Sequence, residues 1–183
     1  RERNIEINTL CRMPVLGGTP VTILKDVYNS ISFSPDGTSV LLGFRDTTAR
    51  LWDFSNHIGK AMKHSSSVNY VSFSPNGRSI VTVDWDNTVK LWNLEGDQIG
   101  KDMQHSSRVN ALSFSPDGTK IVTASSDNTV RLWDIQGNQI GNDMKHSASV
   151  HTVAISSDGT KILTGSQDTN VRLWDISGVQ IGN

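Results

Sequence analysis

The sequence predicts an all-β fold assembled from consecutive four-stranded antiparallel sheets. Three observations predict it: a long internal repeat, short apolar runs separated by turn residues, and the lack of any 10- to 12-residue window with a helical 3.6-residue period. Residues 113–135, SFSPDGTKIVTASSDNTVRLWDI, match residues 72–94 at 14 of 23 positions and residues 154–176 at 15 of 23. A fourth copy occupies residues 32–54, and the starts at 32, 72, 113 and 154 are 40, 41 and 41 residues apart. A period near 41 residues is too long for a hairpin and suits one supersecondary unit per repeat.

Four strands fit into each unit. In the third, strand a is predicted over Val109 to Ser115, b over Lys120 to Ala124, c over Thr129 to Trp133, and d over roughly Asn138 to Asn142. Pro116-Asp117-Gly118 turns a into b, because proline presets the first turn dihedral and glycine accepts the left-handed one. Pro35-Asp36-Gly37 and Pro75-Asn76-Gly77 repeat that chemistry, and Ser157-Asp158-Gly159 keeps all but the preset. Residues 1–23 read as a diverged half-unit, strands c and d, since Asn8 to Met13 align with Asn128 to Trp133 and put Met13 at a Trp position. Residues 24–183 hold four whole units of the same domain.

Each unit closes on Leu-Trp-Asp or a near variant: Leu51-Trp52-Asp53, Leu91-Trp92-Asn93, Leu132-Trp133-Asp134 and Leu173-Trp174-Asp175. At this period the pattern resembles the WD-repeat family over residues 24–183. The likeness implies a β-propeller of four-stranded antiparallel blades, here about 4.5 repeats. The family's Gly-His before strand a is replaced by Lys63-His64, Gln104-His105 and Lys145-His146, and the first unit lacks the His and has Leu42 where the others have Thr. WD-repeat rings usually have seven blades, which at this period need about 287 residues. A fragment of a longer ring, a small ring, or two chains sharing one propeller would reconcile the numbers, and the fragment is the expectation.

The sets His64, Thr82, Asp86, Trp92; His105, Thr123, Asp127, Trp133; and His146, Thr164, Asp168, Trp174 could be read as acid–base triads. The family resemblance implies instead that each is a buried hydrogen-bond tetrad that locks one blade. Catalysis needs one pocket, whereas this set recurs once per blade. Histidines on separate blades likewise cannot converge on one metal ion. No catalytic, cofactor-binding or metal-ligating residue is assigned.

Function is expected where the copies disagree. The residue before the tetrad Asp varies as Arg45, Trp85, Ser126 and Gln167, and the start of strand a varies through Asn69, Arg108, Asn110 and His151. By resemblance these form the rim of the top face, where partner peptides dock. Trp85 stands out as the only Trp outside the Leu-Trp positions.

The 17 Lys and Arg against 18 Asp and Glu give a net charge of −1 without basic runs, which argues against nucleic acid and membrane surfaces as partners. No apolar stretch approaches the roughly 20 residues of a membrane-spanning helix. The opening Arg1-Glu2-Arg3 lacks the pattern of a signal peptide, and with the lone Cys11 the expectation is a reducing, cytoplasmic setting. The expectation is a non-catalytic scaffold that binds partner proteins or peptides, with self-association as a way to complete a ring. A repeat array without a specific ligand, natural or engineered, and an enzyme on a propeller scaffold are the alternatives.

Overall fold

A computed structural model describes residues 10–12, 21–24, 27–54 and 57–182. Met13 and most of the leading half-unit lie outside them. What is described there is one antiparallel pair, β1 (Leu10–Arg12) with β2 (Val21–Leu24). Four sheets follow. The first holds β3 (Val27–Phe33), β4 (Ser39–Phe44) and β5 (Thr48–Asp53), with its outer strand split into β6 (His57–Ile58) and β7 (Met62–Lys63), both paired to β5. The second comprises β8 (Val68–Phe73), β9 (Ile80–Asp84), β10 (Thr88–Trp92) and β11 (Gln98–Gln104). The third comprises β12 (Val109–Phe114), β13 (Lys120–Ser125), β14 (Thr129–Asp134) and β15 (Gln139–Lys145). The fourth has β16 (Val150–Ile155), β17 (Lys161–Ser166) and β18 (Val171–Asp175), extended by a single bridge from Trp174 to Gln180. Every pairing is antiparallel, and apart from β7 with β5 each joins chain neighbours, so each sheet is a meander, one blade of a propeller.

Strand d corrects the sequence expectation. β15 runs from Gln139 to Lys145 rather than stopping at Asn142, because its register against β14 jumps between Val130 and Leu132. Gly141 sits in that bulge at φ +69, and the realigned strand places Met144 opposite Val130, where it is buried. Met103 and Met62 are buried in the same way, which explains their periodic spacing as packing. Gly100, in the equivalent bulge of β11, has no alternative: at φ +68 a Cβ would fall 2.3 Å from the Gln136 carbonyl oxygen of the next blade.

Blades stack through one recurring contact. Val81, Val83, Val89 and Leu91 of the second blade cluster with Val109, Leu112, Ile121 and Trp133 of the third. Val122, Ala124, Val130 and Leu132 then meet Val150, Val153, Ile162 and Trp174 of the fourth. Interior strands are therefore apolar on both faces, as sheets covered on two sides must be. On the fourth blade the corresponding outer face is open: Leu163 is 48% and Val171 71% exposed, where Val122 and Val130 are 0%.

The b–c turns place Thr47, Asn87, Asn128 and Thr169 in the left-handed region, at φ 67 to 68. Asparagine tolerates that conformation through its short polar side chain, while a β-branched threonine is strained there. Thr169→Asn, which copies Asn87 and Asn128, is expected to stabilise the protein by about 1 kcal/mol. This should appear as a rise of a few degrees in a thermal melt, and an unchanged or lower midpoint would show that the threonine carries no strain.

Candidate functional site

In the third blade, His105 descends between strands with both ring nitrogens engaged. Its Nδ1 is 2.9 Å from Asp127 Oδ2, its Nε2 is 2.7 Å from Thr123 Oγ1, and Trp133 Nε1 is 2.9 Å from the same hydroxyl. The fourth blade repeats this with His146 at 3.0 Å from Asp168 and 2.8 Å from Thr164, and with Trp174 at 2.9 Å from Thr164. One proton assignment satisfies the whole chain. The indole N–H donates to the threonine oxygen, the threonine O–H donates to Nε2, and Nδ1–H donates to the carboxylate, so the imidazole is neutral. Both imidazoles are fully buried.

The second blade differs from the expected assignment. His64 Nδ1 lies 3.0 Å from Asp84 Oδ2, and Asp86 is not in the set; Thr82 and Trp92 complete it at 2.6 and 2.7 Å. Asp84 stands where the later blades have Ser125 and Ser166, whose hydroxyls accept the N–H of Asp127 and of Asp168. From that position Asp84 does the work of both residues. Its Oδ1 accepts the N–H of Asp86 and of Thr88, each at 3.0 Å, while its Oδ2 faces the imidazole. The Asp86 side chain is left exposed. The sequence signal was there in Val83-Asp84-Trp85-Asp86: two carboxylates two residues apart, of which the alignment by copy favours the wrong one.

Among the described residues the first blade has no such chain. Leu42 and Phe44 occupy the positions of the threonine and of Asp84, and both are buried with Val40. Asp46, aligned with the tetrad carboxylates, turns to Arg50 at 3.1 Å and to the Thr48 hydroxyl at 2.6 Å. An apolar plug thus replaces a polar one where no imidazole needs a partner.

Burial pushes the carboxyls of Asp84 and Asp127 up, but hydrogen bonds from the histidine and the turn outweigh it and hold both below the ordinary value of 3.8. Asp168 is held below it in the same way. Burial lowers His105 below its ordinary 6.5, against the pull of Asp127. These groups titrate as structural members: anionic carboxylates and a neutral ring, fully paired within the blade. Among the described residues no three His, Cys, Asp or Glu side chains converge as metal ligands.

The variable residues lie together in another place. In the second, third and fourth blades the b–c turn residue bonds through its N–H to the carbonyl just before its own strand a: Trp85 to Ser67, Ser126 to Arg108 and Gln167 to Ser149. That pre-strand residue also meets the turn residue of the preceding blade, which forms a seam. Between blades three and four the seam is a closed polar cluster, with Ser149 Oγ donating to Ser126 Oγ at 3.1 Å. The Asn110 amide reaches Ser126, Ser149 and the Val150 carbonyl at 2.9, 3.3 and 2.8 Å. Between blades one and two, Ser67 Oγ donates to the Arg45 carbonyl at 2.9 Å.

Between blades two and three both hydroxyls are gone. Arg108 lies over the Trp85 ring, its guanidinium carbon 4.6 Å from the centroid, and Trp85 is 39% exposed. Asn69, the counterpart of Asn110, is left with a buried Oδ1 that has no hydrogen-bond partner, a loss of about 1–3 kcal/mol. Gln167 and His151 are exposed on the fourth blade. Ser67 and Ser149 were missed as seam partners in the sequence because serine at a turn carries no signal of its own.

Four consecutive matches to the family model described as "WD domain, G-beta repeat" cover residues 18–53, 57–93, 96–134 and 137–175. The chain belongs to the WD40 repeat family. No curated protein matches it. WD40 repeats generally serve as scaffolds for protein–protein interaction, and the family is typically non-catalytic.

Swapping the two aspartates tests the assignment. Asp84→Ala is expected to destabilise by about 3 kcal/mol, through an unpaired buried imidazole, and Asp86→Ala by less than about 0.5 kcal/mol. Urea unfolding followed by tryptophan fluorescence reads both, and equal midpoints would remove Asp84 from the tetrad. The pH dependence has a definite sign. His105 and the tetrad carboxylates all have folded-state values below their unfolded ones, so their contribution is complete above pH 6.5. It is lost on acidification, first as unfolded His105 gains its proton below 6.5 and then as unfolded carboxylates gain theirs below 3.8. A urea midpoint that stays flat from pH 8 to pH 4 would contradict the buried neutral ring.

Proposed function

We propose that this WD40 chain is a non-catalytic scaffold that binds partner proteins or peptides through the rim of seam residues Arg45, Asn69, Trp85, Arg108, Asn110, Ser126, His151 and Gln167. One observation carries the reading: the tetrads and stacking faces recur from blade to blade, while the seams differ at every junction and display an exposed tryptophan at one of them. Exposed aromatic and arginine side chains framed by polar groups are the usual anchors of protein interfaces. Enzymatic turnover finds no support in the tetrads, whose polar atoms are all committed to one another inside separate blades.

Affinity capture from a cell extract with the wild type and with the Trp85→Ala, Arg45→Ala double variant tests the rim. A partner bound by the first and lost by the second is expected. A captured set that is identical for both proteins removes the rim from the proposal.

Self-association belongs to the same reading. The open face of the fourth blade, with Leu163 and Val171 uncovered, has the apolar character that elsewhere in the chain accepts a neighbouring sheet. Light scattering over a concentration series is expected to show mass above that of one chain, reduced by Val171→Glu. A monomeric wild type at all concentrations withdraws self-association.

A further inference from the structure

The seam between the second and third blades departs from its neighbours in three ways at once. Elsewhere the b–c turn residue and the next blade's pre-strand residue exchange hydrogen bonds; here Trp85 and Arg108 meet as a ring and a flat cation. Asn110 ties its seam together through three bonds from its amide nitrogen, and among the described residues its counterpart, Asn69, makes none of them and has its oxygen buried without a partner. The guanidinium of Arg108 also has no carboxylate partner among the described residues. Arg50, Arg131 and Arg172 are paired to Asp46, Asp143 and Asp168, whereas Arg108, like Arg78, makes no ion pair among the described residues and is exposed. Scaffolding explains none of the three, since the serine version of the seam closes without them.

We infer that this seam takes an acidic side chain of a partner peptide, Arg108 binding a glutamate or aspartate carboxylate while Trp85 holds the guanidinium from beneath. The inference rests on the rim reading above and adds the chemistry of the ligand. A guanidinium stacked on an indole is fixed in plane and shielded on one side, which leaves its N–H edge free for a two-point contact with a carboxylate. The ring area that Arg108 does not cover accepts an apolar neighbour of that acid in the peptide. Asp86, adjacent to Trp85 in the chain and released from the tetrad by Asp84, is a like charge for such a ligand and opposes it. That opposition gives a sign by which an acidic partner and a basic one can be told apart.

The experiment uses the full chain and an immobilised peptide array in which every acidic residue has a glutamine counterpart, followed by titration of selected peptides in solution. Peptides holding a glutamate or aspartate beside an aromatic or aliphatic residue are expected to bind at least about tenfold more tightly than their glutamine versions. Arg108→Gln should abolish the preference, Arg108→Lys should restore part of it, and Asp86→Asn should tighten binding a few-fold. Raising the salt should weaken the wild type and leave Arg108→Gln unaffected. Arg108 is exposed, so its variants keep the test independent of any folding defect in Trp85→Ala. Equal binding of the glutamine peptides, a response to phosphoserine alone, or weaker binding by Asp86→Asn overturns the acidic ligand. If peptides bind without an acid yet depend on Trp85, the rim stands and this inference falls; if no rim variant changes any binding, both fall.

Discussion

A sheet covered on both faces has no water to satisfy a polar atom, and that constraint orders this molecule. Each interior blade presents Val, Leu and Met to the next blade and Val, Ile and Trp to the preceding one. A histidine driven into such a sandwich must find a partner for each nitrogen from within its own blade. The threonine at the middle of strand b, the tryptophan at the end of strand c and the carboxylate of the b–c turn supply them in one unbroken chain. Because the chain joins the segment before strand a to strands b and c, it fixes their relative register as well as satisfying the ring.

The second blade shows how much freedom that constraint leaves. What is conserved between blades is an acceptor at Nδ1, not a residue at one sequence position. Asp84 reaches the imidazole from the place of a serine and takes over the turn contacts of both residues. The first blade solves the same problem from the other side: with no histidine to satisfy, Leu42 and Phe44 fill the space, and Asp46 turns outward to Arg50. Polar chain and apolar plug are alternative ways to leave nothing unpaired.

The four-stranded units, their turns and their stacking order were legible because the periodicity, the Pro-Asp-Gly turns and the Leu-Trp ends each report a local physical requirement that repeats four times. Two of the three tetrads lay where alignment of the copies put them. Asp86 did not, since one-dimensional alignment rewards the matching letter and cannot see that Asp84, two residues earlier, is the carboxylate that reaches the ring. The length of strand d was hidden for a related reason: the bulge at Gly141 adds residues without breaking the ladder, and no apolar alternation marks it. Trp85 and Arg108 were each visible as variable residues, but their stacking joins two blades across 23 residues of chain, which spacing alone does not disclose.

A repeat protein carries its own control for asking which departures matter. The seam between blades three and four shows what the scaffold requires there, and two serines and an asparagine meet it completely. Replacing the two serines with a tryptophan and an arginine leaves Asn69 without the seam bonds that Asn110 makes and exposes a large aromatic surface. The displaced carboxylate of Asp86 follows from the same blade, where Asp84 has made it redundant to the fold. Changes that give up seam hydrogen bonds while placing a cation over an aromatic ring at one junction are the departures for which the scaffold itself supplies no reason.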